Sequence, residues 1–278
     1  MKGRALPALL LLPASAVTLV AFVLPMGWLA RLSLGRTSGG VQIDTVTGDN
    51  YLRFFTDSYY LSVLWRSVWV ASSVAVLAVL ASYPIALFLF RTRSRWRGVL
   101  AVLTIAPLLV SSVVRTFGWM IILGDQGWIN FMLRLAGLAA TPVHLMNNVT
   151  GVLIGLTEIM MPTTTLALVA GFARLDLSLE EAARTLGASP WRCFRRVTLP
   201  LTAPGIAVAA LVTFVLSISS FITPSLLGGG RVPMLASTIY EEALETLDWP
   251  LAAAISLILI ALFGAVLLGY ERLARRWA

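Results

Sequence analysis

Two charged residues stand inside apolar sequence, Arg115 in SSVVRTFGW and Glu158 in GLTEIMMPT. In hydrocarbon an unpaired charge costs about 3 kcal/mol or more, so each must face a partner or a water-filled cavity. The chemistry open to them is charge recognition. Glu158 is read either as a ligand for a passing cation or as a paired structural carboxyl, and Arg115 as its counter-charge or as a contact for an anion. Pro162, one turn after Glu158, has no N–H. It leaves one carbonyl of its own helix without a donor, a defect tolerated at membrane depth where backbone lines a water-filled path. Thr213, Ser217 and Ser220 share one helical face, which suits a polar pathway lining or close packing through small hydroxyl residues. Trp119 and Asp125 can offer cation–π contact and negative charge to an ammonium group. Arg66 is expected at the edge of its span, its stem snorkelling to the surface.

A second set of residues lies in the segment 175–205, LDLSLEEAARTLGASPWRCFRRVTLPLTAPG, long for a connection between neighbouring helices. Ser178 followed by Glu181 has the spacing of a capping box. Leu179, Ala182, Ala183 and Leu186 then recur at i, i+3, i+4 and i+7, an apolar stripe two turns long. Gly187 tolerates the left-handed conformation that ends a helix. Ser189 and Pro190 restart one as cap and first position, presenting Trp191 and Phe194 while Arg192, Arg195 and Arg196 stay solvated. Leu199-Pro200 is expected to end this second piece. Two short helices at an angle, with an apolar knob that one chain has little means to cover, point to a docking surface. Cys193 and His144 are single residues of their kind. They exclude a disulfide framework and a Cys/His metal site, so no metal is expected.

The elements that must position these residues follow from composition. Of 278 residues, 58% are hydrophobic and 12% charged, with mean hydropathy +0.87, which places the chain in lipid. Apolar stretches long enough to cross about 30 Å of hydrocarbon run over 8–30, 64–90, 99–123, 151–173, 205–226 and 251–268. They lack the alternation of barrel strands, so the expected fold is an all-α integral membrane protein, one six-helix domain over 1–278 with a loop at 174–204. Lys2 and Arg4, an apolar run and Ala14-Ser15-Ala16 imitate a signal peptide. The run continues without a charge to Ala30, which argues for a span and against cleavage. A short amphipathic helix is expected over 126–137, with Trp128, Met132 and Leu135 on one face at the outer interface. The connection 31–63 reads as a polar stretch followed by an aromatic one.

Basic residues set the orientation. Lys2 and Arg4, then Arg91, Arg93, Arg95 and Arg97, then Arg174, Arg184, Arg192, Arg195 and Arg196, and finally Arg272, Arg275 and Arg276 fall on one side. Arg31, Arg36, Arg53, Arg134 and Arg231 fall on the other. The positive-inside rule then puts both termini and the 174–204 loop in the cytoplasm. The outer loops carry the acids Asp44, Asp49, Asp57, Asp125, Glu241, Glu242, Glu245 and Asp248, a field that favours an entering cation. A pI near 10.5 would also suit nucleic-acid binding, but the Arg residues alternate with apolar runs and form no basic face.

Glu181-Ala182-Ala183, Gly187 four residues on and Leu199-Pro200 twelve beyond that resemble the EAA loop of binding-protein-dependent ABC importer permeases of type I. The resemblance implies that this loop is the coupling helix docking in a cleft of a separate ATPase subunit. Asn50-Tyr51, Arg115 with Gly118, and Asp248-Trp249-Pro250 are further similar to the spermidine/putrescine type of permease. The same resemblance implies a transport subunit in the bacterial inner membrane, paired with a second, non-identical permease, two ATPases that hold ATP and Mg, and an extracytoplasmic solute-binding protein. The chain has no GxxxxGK[ST], HExxH or GxSxG, so ATP hydrolysis must be borrowed and an intramembrane enzyme is disfavoured. A secondary transporter using Glu158 and Arg115 as an ion relay is the competing class. No inverted repeat supports it, and it has no need of a docking loop. The solute expected from the resemblance is a polyamine; Fe(III), thiamine, sulfate and phosphonate are the alternatives.

Overall fold

The computed structural model describes residues 5–38, 41–43, 46–92, 94–172 and 175–274. Lys2, Arg4, Asp44, Arg93, Arg174, Arg275 and Arg276, which carry part of the charge asymmetry, lie outside the described residues. The chain runs through α1 (Ala5–Ser33), β1 (Arg36–Ser38), β2 (Val41–Ile43), α2 (Asp49–Thr56), α3 (Ser58–Arg91), α4 (Trp96–Ile105) and a 3₁₀ turn (Ala106–Leu109). It continues through α5 (Ser112–Leu123), α6 (Trp128–Leu135), α7 (Val149–Phe172), α8 (Leu177–Thr185), α9 (Pro190–Cys193) and a π turn (Phe194–Thr198). α10 (Leu199–Ile218), α11 (Ile222–Gly228), α12 (Leu235–Leu244) and α13 (Trp249–Ala274) complete it. Among the described residues five helices are long and apolar enough to cross a membrane, and a bent pair makes a sixth. Helices satisfy their own backbone hydrogen bonds, which lipid requires.

The described residues of 1–61 with those of 238–262 form one compact unit, and the described residues of 62–237 with those of 263–274 another. In the first, β1 and β2 pair antiparallel with Arg36 opposite Ile43, a strand pairing that the polar stretch at 37–50 did not announce. Asn50 is buried at the start of α2, where its Nδ2 donates to the carbonyls of Ser33 and Gly35, both at 2.8 Å. Tyr51 shares a hydrogen bond with Ser33 Oγ at 2.7 Å. Together they tie α2 to the end of α1. Asp248 accepts the Leu251 amide at 3.3 Å at the start of α13 and pairs with Arg53 at 3.3 Å.

The second unit is built on a close crossing of α7 and α10. A Cβ added to Gly171 would lie 2.6 Å from Gly205 Cα, so the two backbones touch where only glycine fits, as in membrane helix pairs. Thr164 and Thr213 share a hydrogen bond across the same seam at 2.7 Å, and the Tyr83 hydroxyl meets Thr202 at 3.0 Å. Val70, Leu123, Leu156, Leu227 and Met234 form one apolar core, and Ala86, Leu168, Phe172 and Ala209 a second.

Two expected spans differ from the structure. The stretch 99–123 is broken, its halves Trp96–Leu109 and Ser112–Leu135 meeting at 101°. Pro107 takes an early position of the 3₁₀ turn, Val110 turns extended, and Ser111 caps a new helix by accepting the Val113 amide at 3.3 Å. A proline without a donor and a serine that offers the backbone an alternative acceptor suffice to stop and restart the helix. The stretch 205–226 is likewise divided, because α10 ends at Ile218 and α11 begins at Ile222. Ser219 bonds back to the Val215 carbonyl at 2.7 Å there. Nor does Leu199-Pro200 end the α9 segment, which passes through the π turn straight into α10. The wider π turn accommodates the missing Pro200 donor without breaking the helix.

Candidate functional site

Arg115 and Glu158 are brought together. Arg115 Nη2 donates to Glu158 Oε1 at 2.7 Å and to the Glu158 carbonyl at 3.0 Å. That carbonyl is the one that Pro162, four residues on and inside α7, leaves without its helical donor. Arg115 Nη1 reaches the Pro107 carbonyl at 3.4 Å in the 3₁₀ turn. One guanidinium thus neutralises a carboxylate and satisfies backbone at both interruptions, five donors in a fixed fork being suited to that task. Trp119, one turn along α5 on the same face, donates its indole N–H to Glu158 Oε2 at 3.0 Å. The Arg115 side chain is 11% exposed and that of Glu158 33%. Beside Glu158 lies a largely apolar cavity of about 270 Å³, walled by Leu103, Thr104, Pro107, Met161, Pro162 and Thr165 among others.

The other expected pathway residues do not converge on this pair. Asp125 lies beyond the end of α5, 3.0 Å from His144 Nδ1, at a separate polar cavity of about 280 Å³ with Asn147 and Arg231. α5 ends at Leu123, two residues before it, and the Trp119 indole N–H goes to Glu158. Thr213 is buried, its hydroxyl committed to Thr164 and to the Ala209 carbonyl. Ser217 is buried with its Oγ unpartnered among the described residues. Ser220 sits half-buried in the break after α10, its amide bonded to the Ser217 carbonyl at 3.2 Å. Here the hydroxyl face serves helix packing at Thr213.

The α8 region is a second constellation. Its cap is Asp176, whose Oδ1 accepts the Ser178 amide at 2.9 Å; the expected Ser178–Glu181 capping box is absent. The helix starts at Leu177, so Ser178 is already in its first turn and the carboxylate before it takes the free amides. The Ser178 amide and hydroxyl hold the Asp176 carboxyl below its usual range. Gly187, at φ +80, ends α8 in a Schellman arrangement, with Ala188 N bonded to the Ala183 carbonyl and Gly187 N to that of Arg184. Ser189 Oγ then accepts the Arg192 amide at 3.4 Å, with Pro190 first in α9. Trp191 and Phe194 stack at 5.6 Å.

Among the polar residues that α8 and α9 present outward, such as Arg184 and Arg192, stand several large apolar ones. Leu179, Leu186 and Trp191 are 47%, 88% and 69% exposed, Glu181 and Ala182 are exposed, and Ala183 is half-buried. The residue that sequence reasoning missed is Glu180, 5% exposed. Its Oε1 receives Arg91 Nη2 from the end of α3 and Thr198 Oγ1 at 2.6 Å. Helical periodicity carried no signal for it: Glu180 and Glu181 lie at similar angles from the 179/182/186 stripe, yet Glu181 is exposed and Glu180 is buried.

The family model for binding-protein-dependent transport system inner membrane components matches residues 76–278. The spermidine/putrescine transport system permease protein PotB of Escherichia coli (strain K12) is 33% identical over 265 residues, 93% of this chain and 96% of that protein. PotB of Haemophilus influenzae is 32% identical over 227 residues, 82% and 79% of the two chains. A chain of a bacterial alginate ABC transporter, solved in complex with an alginate-bound periplasmic protein, superposes with TM-score 0.77 at 17% identity, covering 99% and 96%. One of the inward-facing MetNI methionine ABC transporter follows at 0.58 and 18%, covering 80% and 100%. The fold is that of a type I ABC importer permease, a class of transport component that works with ATPase and solute-binding-protein partners. The chain belongs to the binding-protein-dependent transport system inner membrane components, as a multi-pass permease subunit of the bacterial inner membrane.

Proposed function

We propose that the chain forms, with a second and non-identical permease subunit, the pathway by which a polyamine such as spermidine or putrescine crosses the membrane. Two ATPase subunits holding ATP and Mg drive it through α8, and an extracytoplasmic binding protein delivers the solute. The observation that carries the polyamine reading is the 33% identity to PotB across nearly the whole chain. The geometry removes the main objection to it. An intramembrane Arg115 would repel an oligocation, but at 2.7 Å from Glu158 its charge is compensated, and the apolar cavity beside the pair suits methylene segments. Relatives differ in solute, so specificity is tested directly. Proteoliposomes containing the whole complex are expected to take up labelled putrescine or spermidine in preference to sulfate, phosphonate, thiamine and Fe(III). Transport confined to an anion discards the polyamine assignment and leaves the importer assignment in place.

The orientation proposed places both termini, α8 and Trp191 in the cytoplasm, on the charge asymmetry of the sequence. Cys193 is too buried to report on it. Trp191→Cys in a Cys193→Ser background supplies an exposed thiol, expected to resist an impermeant reagent added from outside and to react once the membrane is opened. Labelling from outside in sealed cells contradicts the orientation.

A further inference from the structure

We propose that Glu180 is the positioning residue through which a displacement of α8 reaches the spanning helices, a proposal that rests on α8 being the ATPase-docking helix. α8 has two faces of different character. Leu179, Ala182 and Leu186 point to solvent, whereas Glu180, about 100° further round the helix, is buried. Its carboxylate holds two elements at once. Arg91, the last residue of α3, donates from Nη2, and Thr198, the residue before α10, donates from Oγ1 at 2.6 Å. Arg91 Nη2 also reaches Thr198 Oγ1 at 3.2 Å, which closes a triangle. Cys193 Sγ, 3.9 Å from the Glu180 carbonyl, holds the same turn against α9.

The chemistry of the three groups fits a rigid joint. An ionised carboxylate only accepts, so it can take both donors together, while the threonine hydroxyl donates to it and accepts from arginine. Charge-assisted bonds of this kind are about twice as strong as neutral ones. The Glu180 side chain is 7% exposed and that of Arg91 32%, so the carboxylate end of the joint is shielded from the solvent screening that makes surface ion pairs weak. Opening one vertex leaves a buried polar or charged group unpaired. α8 is therefore fixed to α3 and to the start of α10 while its apolar stripe stays free, and whatever moves the stripe moves those two helices with it.

The test uses the complete complex in proteoliposomes, with three readouts: ATPase retained with the permease, binding-protein-stimulated hydrolysis, and solute moved per ATP. Glu180→Gln is expected to keep the ATPase bound and to lower solute moved per ATP by about tenfold, the scale of one lost charge-assisted hydrogen bond. Thr198→Val, which leaves the Arg91–Glu180 pair in place, is expected to fall in the same direction, and Thr198→Ser to restore coupling. The threonine series decides the matter if Glu180→Gln does not assemble. Wild-type coupling in Thr198→Val overturns the proposal, as does release of the ATPase by either variant, since Glu180 would then serve docking. Leu186→Asp, on the exposed stripe, is expected to release the ATPase; an ATPase that stays bound sinks the docking reading itself.

Discussion

At the scale of single residues, the arrangement around Arg115 is an exchange of defects. Pro162 removes a donor from α7, Pro107 interrupts the α4–α5 segment, and one guanidinium reaches the carbonyls of Glu158 and Pro107 as well as the Glu158 carboxylate. Removing only the carboxylate charge leaves a nearly buried cation unpaired. Glu158→Gln is therefore expected to destabilise the subunit by about 3 kcal/mol, the lower end of the range for a broken buried pair because Glu158 is one-third exposed. Arg115→Met with Glu158→Met is expected to recover much of that loss, and thermal unfolding in detergent compares the two. A Glu158→Gln variant as stable as wild type would show that the pair is not structural. The sequence announced both charges and the carbonyl freed by Pro162. It did not show that they meet, since Arg115 and Glu158 lie 43 positions apart and periodicity carries no through-space information. The hydrogen bond from the Trp119 indole to Glu158 was hidden for the same reason.

Among the elements, α8 depends on its two ends. Gly187 adopts φ +80 with nothing within 4 Å of where a Cβ would stand, so a substitution there meets backbone strain of about 1–2 kcal/mol and no clash. Gly187→Leu is expected to insert and assemble but to lose binding-protein-stimulated ATPase activity, whereas Gly187→Asn, which tolerates the left-handed region, retains most of it. Stimulation at the wild-type level in the leucine variant contradicts this. Glu181→Lys, on the exposed face, is expected to uncouple in the same way. The N-terminal cap adds a pH dependence. Asp176 is held below the ordinary carboxylate value of 3.8, so its stabilisation is complete above that value and is lost as pH falls through the lower, folded-state value. Amide-exchange protection at Ser178 should decline over that acid window in wild type and show no such step in Asp176→Asn. The stops and starts at Gly187, Ser189 and Pro190 were legible because capping chemistry is local. The cap itself was misplaced by two residues, since Asp176 and Ser178 are both competent caps and only the first helical turn decides between them. The break near Val110 escaped notice because hydropathy stays high across it while the backbone turns.

For the molecule as a whole, the α7–α10 seam and the exposed α8 stripe divide the labour between a rigid scaffold and a surface on which another subunit can act. Gly171→Ala drives a Cβ into the Gly205 backbone, which cannot yield as a flexible side chain would, and is expected to cost about 1–3 kcal/mol. Gly118→Ala, with open space around the site, is the matched control and should be neutral or slightly stabilising, both read from thermal unfolding. Equal unfolding temperatures for the two variants would show that the close glycine contact adds nothing to stability. The spanning helices were visible in hydropathy alone, whereas the seam was not, because a glycine in an apolar run looks the same whether it faces lipid or another backbone. The proposed function rests on work delivered to this subunit by a separate ATPase. Uptake of labelled spermidine by proteoliposomes holding the full complex, with ATP enclosed, measures it most directly. Uptake is expected to require ATP and the binding protein and to survive an uncoupler; uptake that proceeds without ATP and collapses with the ion gradient overturns the ATP-driven reading.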